Sequence, residues 1–251
     1  MLVDGQWADK VQWMDILSPS TLFSFYTANL TWSLFLTSTA IHAVLLITSP
    51  VQAVYKWYRR QSSDSDTAIP YLCAAIGSLL WLRYSIFIHD IKLVLLQSYA
   101  VFMQTFFLFA MLFYRSKKRR LLRIIMAAFG ASFCLFLLIA QLPESIGVQV
   151  SGVCASGAQI AGSFVCPYLI YKAFTTKVID FIPFAPVAFT WVMELHAIIY
   201  SIGINDFYLL LANSIFFCMD GCLLAMFFIF PTERKGPSNE NYSKPAKVNV
   251  L

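Results

Sequence analysis

Apolar residues run along the chain in seven long blocks with few or no charges inside them: Leu34–Tyr55, Ala68–Ile88, Leu93–Tyr114, Ile124–Leu142, Ser145–Tyr171, Phe181–Ile204 and Phe207–Phe230. Each is close to the roughly 20 residues that a helix needs to cross the hydrocarbon of a bilayer. Lipid offers no hydrogen-bond partners, so a spanning segment must satisfy its own backbone, and blocks this long do so as helices. Barrel strands would be about half as long and would alternate in polarity. The pattern predicts an all-α, polytopic membrane protein with seven transmembrane helices. The connections are short, the longest being the polar stretch Gln61–Asp66. No extramembrane catalytic domain has room to fold, and an enzyme is not expected.

Composition sharpens this reading. Only 12% of the 251 residues are charged and 59% are apolar, too little charge to cover a water-soluble surface. The net charge of +5 matters less than where it lies. On one side of the predicted bundle stand Lys56, Arg59 and Arg60, Arg115, Lys117–Arg120 and Arg123, Lys172 and Lys177, then Arg234, Lys235, Lys244 and Lys247; only Lys10, Arg83 and Lys92 fall on the other. This bias predicts a cytoplasmic C-terminus and, with seven crossings, an N-terminus outside the cytoplasm. The plasma membrane is the expected location, with an internal secretory membrane such as the Golgi second. No nucleic-acid partner is expected. The basic run Lys117–Arg120 reads as a stop signal, with attraction of anionic lipid as the alternative. Asn29-Leu30-Thr31 is a glycosylation sequon on the outer side. All six cysteines lie in apolar stretches and read as small hydrophobes.

Residues 1–33 read as an outer leader, interfacial or irregular, carrying Trp7 and Trp13; residues 232–251 read as a flexible cytoplasmic tail. Between them the chain repeats itself. Trp81-Leu82-Arg83-Tyr84-Ser85 is followed by Asp90 six residues after the tyrosine and by Gln97 seven later. Ala197-Ile198-Ile199-Tyr200-Ser201 is followed by Asp206 and Asn213 at the same intervals. Two prolines precede each copy, Pro50 and Pro70 in the first and Pro167 and Pro183 in the second. Two triplets of the same orientation need one extra crossing between them. The expected organisation is therefore 3+1+3: a first three-helix unit over residues 34–115, a linker over 116–143 containing the fourth helix, and a second unit over 144–231. The two bundles are then parallel, with a pathway between them.

This constellation resembles the SWEET sugar transporters of the MtN3/saliva type. The resemblance covers residues 34–231, with Ser85 and Ser201 in place of the motif glycines, Gln97 in place of an asparagine and Ala197 in place of a tryptophan. It implies facilitative, bidirectional transport of small neutral sugars by alternating access, without a cofactor. By position, Trp81, Gln97, Ala197 and Asn213 would form the substrate site, Tyr84, Asp90, Tyr200 and Asp206 an outer gate, and Pro50, Pro70, Pro167 and Pro183 an inner gate or set of hinges. The chemistry fits: amides satisfy sugar hydroxyls and aromatic faces cover C–H surfaces. For each set a structural role stands beside the functional one. The amides can bond between helices, the tyrosines can be interfacial anchors, and Pro70 and Pro183 can simply start helices.

His42, Glu194, His196 and Asp220 lie within predicted helices and are expected to face the bundle, as structural pairs or as a proton-handling network. They show no metal-ligand spacing, and no metal site is expected. Gly152, Ser156, Gly157, Ala161 and Gly162 read as a close-packing strip. Outward helix faces leave room for homo-oligomers. Two other functions remain open from the residues alone: a transport-inactive seven-helix receptor or trafficking adaptor, and a proton-coupled carrier of another small metabolite.

Overall fold

The computed structural model describes residues 19–231. Among them are ten helices: α1 Pro19–Ala28, α2 Leu30–Thr48, α3 Val51–Arg60, α4 Ile69–Phe87, α5 Ile91–Phe113, α6 Lys118–Ala140, α7 Glu144–Ser163, α8 Val165–Thr176, α9 Phe184–Ile204 and α10 Phe207–Ile229. Taken with α2–α3 and α7–α8 as single broken rods, seven segments are long and apolar enough to cross a membrane.

The two broken rods are the first helices of the two units. Leu30–Arg60 bends at Pro50, and Glu144–Thr176 bends at Phe164, three residues before Pro167. Proline removes one helical N–H and crowds the carbonyl four residues back. At the first bend that carbonyl is Leu46 O, which instead accepts from the Ser49 hydroxyl at 2.8 Å. Pro70 and Pro183 do different work. Pro70 is in the first turn of α4 and Pro183 is the residue before α9, positions where a missing N–H costs nothing.

The corners repeat as faithfully as the helices. The non-glycine residues with positive φ among those described are Gln61 (53°), His89 (55°), Lys177 (57°) and Asn205 (55°). Gln61 and Lys177 end α3 and α8, and His89 and Asn205 sit just before Asp90 and Asp206. Each of these left-handed turns therefore has a partner in the other unit. Asp90 and Asp206 then cap α5 and α10, their carboxylates accepting from the N–H groups of Lys92 and Leu93 at 3.0 and 3.2 Å and of Leu209 at 2.8 Å.

Within the first unit α4 packs on α5, and within the second α9 packs on α10. The units meet through α4 on α7 and α2 on α9, the same pairing made twice. A core of Leu80, Trp81, Tyr84, Ala155, Tyr200, Leu209 and Ala212 is common to both units. Toward the basic face each unit has its own core, Trp57, Met111 and Leu121 in one and Cys166, Ala173, Ile179, Leu223 and Met226 in the other. The two triplets are thus joined at the face bearing Asp90 and Asp206 and separately packed at the other. α6 is the linker crossing, leaning on α4, α5 and α7.

Three sequence expectations change. The leader does not run to residue 33: residues 19–28 are helical and the first crossing starts at Leu30, capped by Asn29. Trp7, Trp13 and the tail lie outside the described residues. The linker helix starts at Lys118 rather than Ile124, because the basic run continues the helix toward the headgroups. The small-residue strip packs only in part. Gly152 packs tightly, since a Cβ there would stand 2.5 Å from the Tyr208 ring, and Ser156 is buried. Gly157 has open space around it, and Ala161 and Gly162 are exposed.

Candidate functional site

At the closed end of the interface, two tyrosines cross between the units. Tyr84 Oη donates to Asp206 Oδ2 at 2.7 Å, and Tyr200 Oη donates to Asp90 Oδ2. Each aspartate uses its other oxygen to cap its own helix, so both carboxylates are held in place before the tyrosines reach them. The motif serines, Ser85 and Ser201, are fully buried and donate back to Leu82 O and Ala197 O. They fill space where the two helices turn into the capping aspartates.

Below these bonds lies a cavity of about 760 Å³, lined in part by Trp81, Gln97, Ala197 and Asn213. All four sequence-expected site residues are therefore brought to one space. The volume is within the usual range for small-molecule sites. The cavity continues beside α2 to Tyr26 and Lys92.

One residue that holds the site together has no counterpart among the sequence expectations. Gln159, on α7, accepts from the Trp81 indole N–H at 2.8 Å and donates to Asn213 Oδ1 at 3.1 Å, while Asn213 Nδ2 donates to Leu209 O at 2.7 Å. The chain begins at a group that can only donate and ends at one that can only accept. Both amide orientations are thereby determined. Gln97, on the other wall, makes no hydrogen bond among the described residues and is half-buried, with its amide available to a ligand. The signal for Gln159 was the proline register: it lies eight residues before Pro167, as His42 lies eight before Pro50.

The four intramembrane polar residues separate into two groups. His42 and His196 stack at 5.1 Å on the α2–α9 interface, where His196 Nδ1 donates to Val192 O at 2.8 Å and Nε2 meets the Ser38 hydroxyl at 3.2 Å. Around them rings stack in sequence from Tyr200 through Trp32, Phe35, His196 and His42 to Phe189. Gly203 makes room for this ladder: a Cβ there would stand 2.3 Å from the Trp32 ring. Glu194 and Asp220 form the other group, inside the second unit. Both are buried, and Asp220 accepts from Cys166 Sγ at 3.1 Å. Glu194 borders the cavity, with its Oε2 lacking a partner. Asp220 does have a repeat counterpart, Gln104, seven residues after Gln97 and likewise buried.

Known proteins share this architecture. The family model described as sugar efflux transporter for intercellular exchange (MtN3/saliva) matches residues 33–119, the first unit and the start of the linker helix. The bidirectional sugar transporter SWEET11 of Arabidopsis thaliana is 22% identical over 201 residues, covering 75% of this chain and 67% of its own length. SWEET10 of the same plant is 27% identical over 191 residues, covering 72% and 65%. The chain is similar to the SWEET family of sugar transporters in sequence and in fold. It spans about two thirds of the length of these relatives. The fold agrees with a solved eukaryotic SWEET transporter at a TM-score of 0.68 and 17% identity, covering 77% of this chain and 94% of that one. In this chain the pocket sets the Trp81 ring and the methyl group of Ala197 among its lining, with Gln159 bridging Trp81 to Asn213.

Proposed function

We propose that this protein carries small neutral sugars, mono- or disaccharides, across a membrane in either direction by alternating access, down their gradient and without a cofactor. The observation that carries the reading is the shared cavity: amides from both repeat-related units and one indole line a space between two separately packed bodies. Amides at Gln97, Gln159 and Asn213 offer donors and acceptors to hydroxyl groups, and Trp81 offers an apolar face.

The reciprocal Tyr84–Asp206 and Tyr200–Asp90 bonds act as the outer gate. Each is one hydrogen bond to a carboxylate, strong enough to bias a conformation and weak enough to exchange. Opening that gate requires the units to close together at the basic face, and the bends at Pro50 and at Phe164, ahead of Pro167, let α3 and α8 move against α2 and α7. Pro70 and Pro183 start their helices on the same face and set where those helices enter the membrane. The basic face is cytoplasmic in this reading and the plasma membrane is the location.

In proteoliposomes, labelled hexose and disaccharide equilibrate without an imposed ion gradient. Folded protein that admits no sugar from a broad panel contradicts the assignment. A second reading, proton-linked carriage, is favoured by one observation: the carboxyl of Glu194 borders the cavity with an unpartnered oxygen beside Asp220. It predicts acid-driven uptake that Glu194→Gln abolishes, and uniport predicts uptake that needs no pH gradient.

A further inference from the structure

A second cavity, of about 540 Å³, opens at the basic face between the start of α4 and the start of α6. Its two ends differ in chemistry. Arg115, Lys117 and Arg120 line one end, and Ile69, Leu72 and Ile124 line the other. Ile69 and Ile124 are exposed on segments that cross the membrane. We infer that this cavity is a binding site for an anionic phospholipid, with the phosphate-bearing headgroup held by Lys117 and Arg120 and an acyl chain lying on Ile69, Leu72 and Ile124.

The charges there are arranged for an anion from outside the chain. Lys117 caps α6 without a side-chain bond, and Lys118, Arg119 and Arg120 fill its first turn, with no acidic residue among them. That is the wrong sign for the positive end of a helix dipole, and an anion at this end relieves it. Lys117 and Arg120 are exposed and make no ion pair among the described residues. Arg115 is already committed, donating to Ser63 O and, at 2.9 Å, to Asp66 O.

The carboxylate in the cavity is occupied as well. Asp64 accepts from the Ser116 N–H at 3.1 Å and from the Ser116 hydroxyl, with Arg115 Nε at 3.8 Å. These hydrogen bonds hold its pKa below the ordinary aspartate value, so it stays anionic and turned to the loop. Among the described residues lining the cavity, Lys117 and Arg120 are the cations without an ion pair. A soluble phosphate would use the basic end alone. The apolar wall continuous with the bilayer points to a lipid, consistent with basic pockets between membrane helices.

The test uses the full chain in phosphatidylcholine bilayers containing a trace of spin-labelled phosphatidylserine. The immobilised fraction exceeds that of spin-labelled phosphatidylcholine, and Lys117→Gln with Arg120→Gln lowers this preference several-fold. The matched pair Lys56→Gln with Arg59→Gln, on exposed residues of α3, leaves it in place. Loss in both pairs, or in neither, overturns the site. Displacement of the labelled lipid by soluble glycerophosphoserine would reassign the pocket to free phosphate-bearing anions and overturn the lipid.

Discussion

Tyr84 and Asp206 stand 2.7 Å apart across the boundary between the two units, and Tyr200 and Asp90 repeat the bond in reverse. Because each aspartate also caps a helix, the two contacts couple helix geometry to closure of the interface. A carboxylate already fixed by its own backbone N–H groups loses little freedom when the phenol arrives.

Removing one phenol should open this end. A hydrogen bond to a charged group contributes about 1.5–3 kcal/mol, roughly a ten- to hundred-fold change in an open-to-closed ratio. Tyr84→Phe and Tyr200→Phe are each expected to speed labelling of a Gln97→Cys probe from the outer side, by similar factors because the bonds are repeat-related. Labelling at the wild-type rate in both variants argues that these bonds do not gate the cavity.

Asp206 offers a way to separate capping from latching. Asparagine is a good N-cap, but with its one side-chain oxygen on the Leu209 N–H its Nδ2 cannot accept from Tyr84, so it keeps the cap and loses the latch, whereas alanine loses both. Asp206→Asn should melt close to wild type and Asp206→Ala lower, with the lost cap costing about 0.5–2 kcal/mol. Equal melting temperatures for the two variants would mean that the cap contributes nothing measurable.

Two glycines give a packing test with an internal control. Gly203→Ala forces a Cβ into the Trp32 ring and should disturb the stack that leads to Tyr200; overpacking of this kind costs about 1–3 kcal/mol. Gly157→Ala meets nothing within 4 Å and should be neutral or slightly stabilising, as alanine is the better helix former. Thermal unfolding of the two variants in detergent decides it, and equal loss contradicts the packing described.

Gln159→Leu keeps the bulk and deletes the amide. It leaves the Trp81 indole N–H and one oxygen valence of Asn213 without their partners, at a cost of about 1–3 kcal/mol for a buried group. The expected result is a raised KM for sugar with a smaller change in maximal rate. An unchanged KM would show that the orientation of Asn213 does not matter to substrate.

Much of this molecule is legible in one sequence because its constraints are periodic. Seven apolar blocks follow from the thickness of hydrocarbon, and the shared spacing of Tyr84, Asp90 and Gln97 with Tyr200, Asp206 and Asn213 exposes the duplication. Helix ends are harder to read, since Lys118 and Arg119 can extend α6 into the headgroups without breaking it, and α1 is a helix in a stretch whose polarity suggested an interfacial or irregular leader. Gln159 escaped notice because the first helix of each unit carries no matching motif besides its proline, and a lone amide beside glycine and serine looks like helix packing. Its counterpart His42 is a different residue type, so the equivalence is visible in register and not in identity. The division of the polar residues into a histidine stack and an acid pair depends on helix rotation, since Glu194 and His196 are only two positions apart and face different neighbours.

The most direct measurement is equilibrium binding of sugars to the purified, folded protein, with Asn213→Ala beside the wild type. The account predicts that wild type binds at least one mono- or disaccharide and that Asn213→Ala weakens that binding roughly ten-fold or more, as loss of a 1.4 kcal/mol contact would. Binding of equal strength in the variant, or no binding of any sugar by wild type, contradicts it.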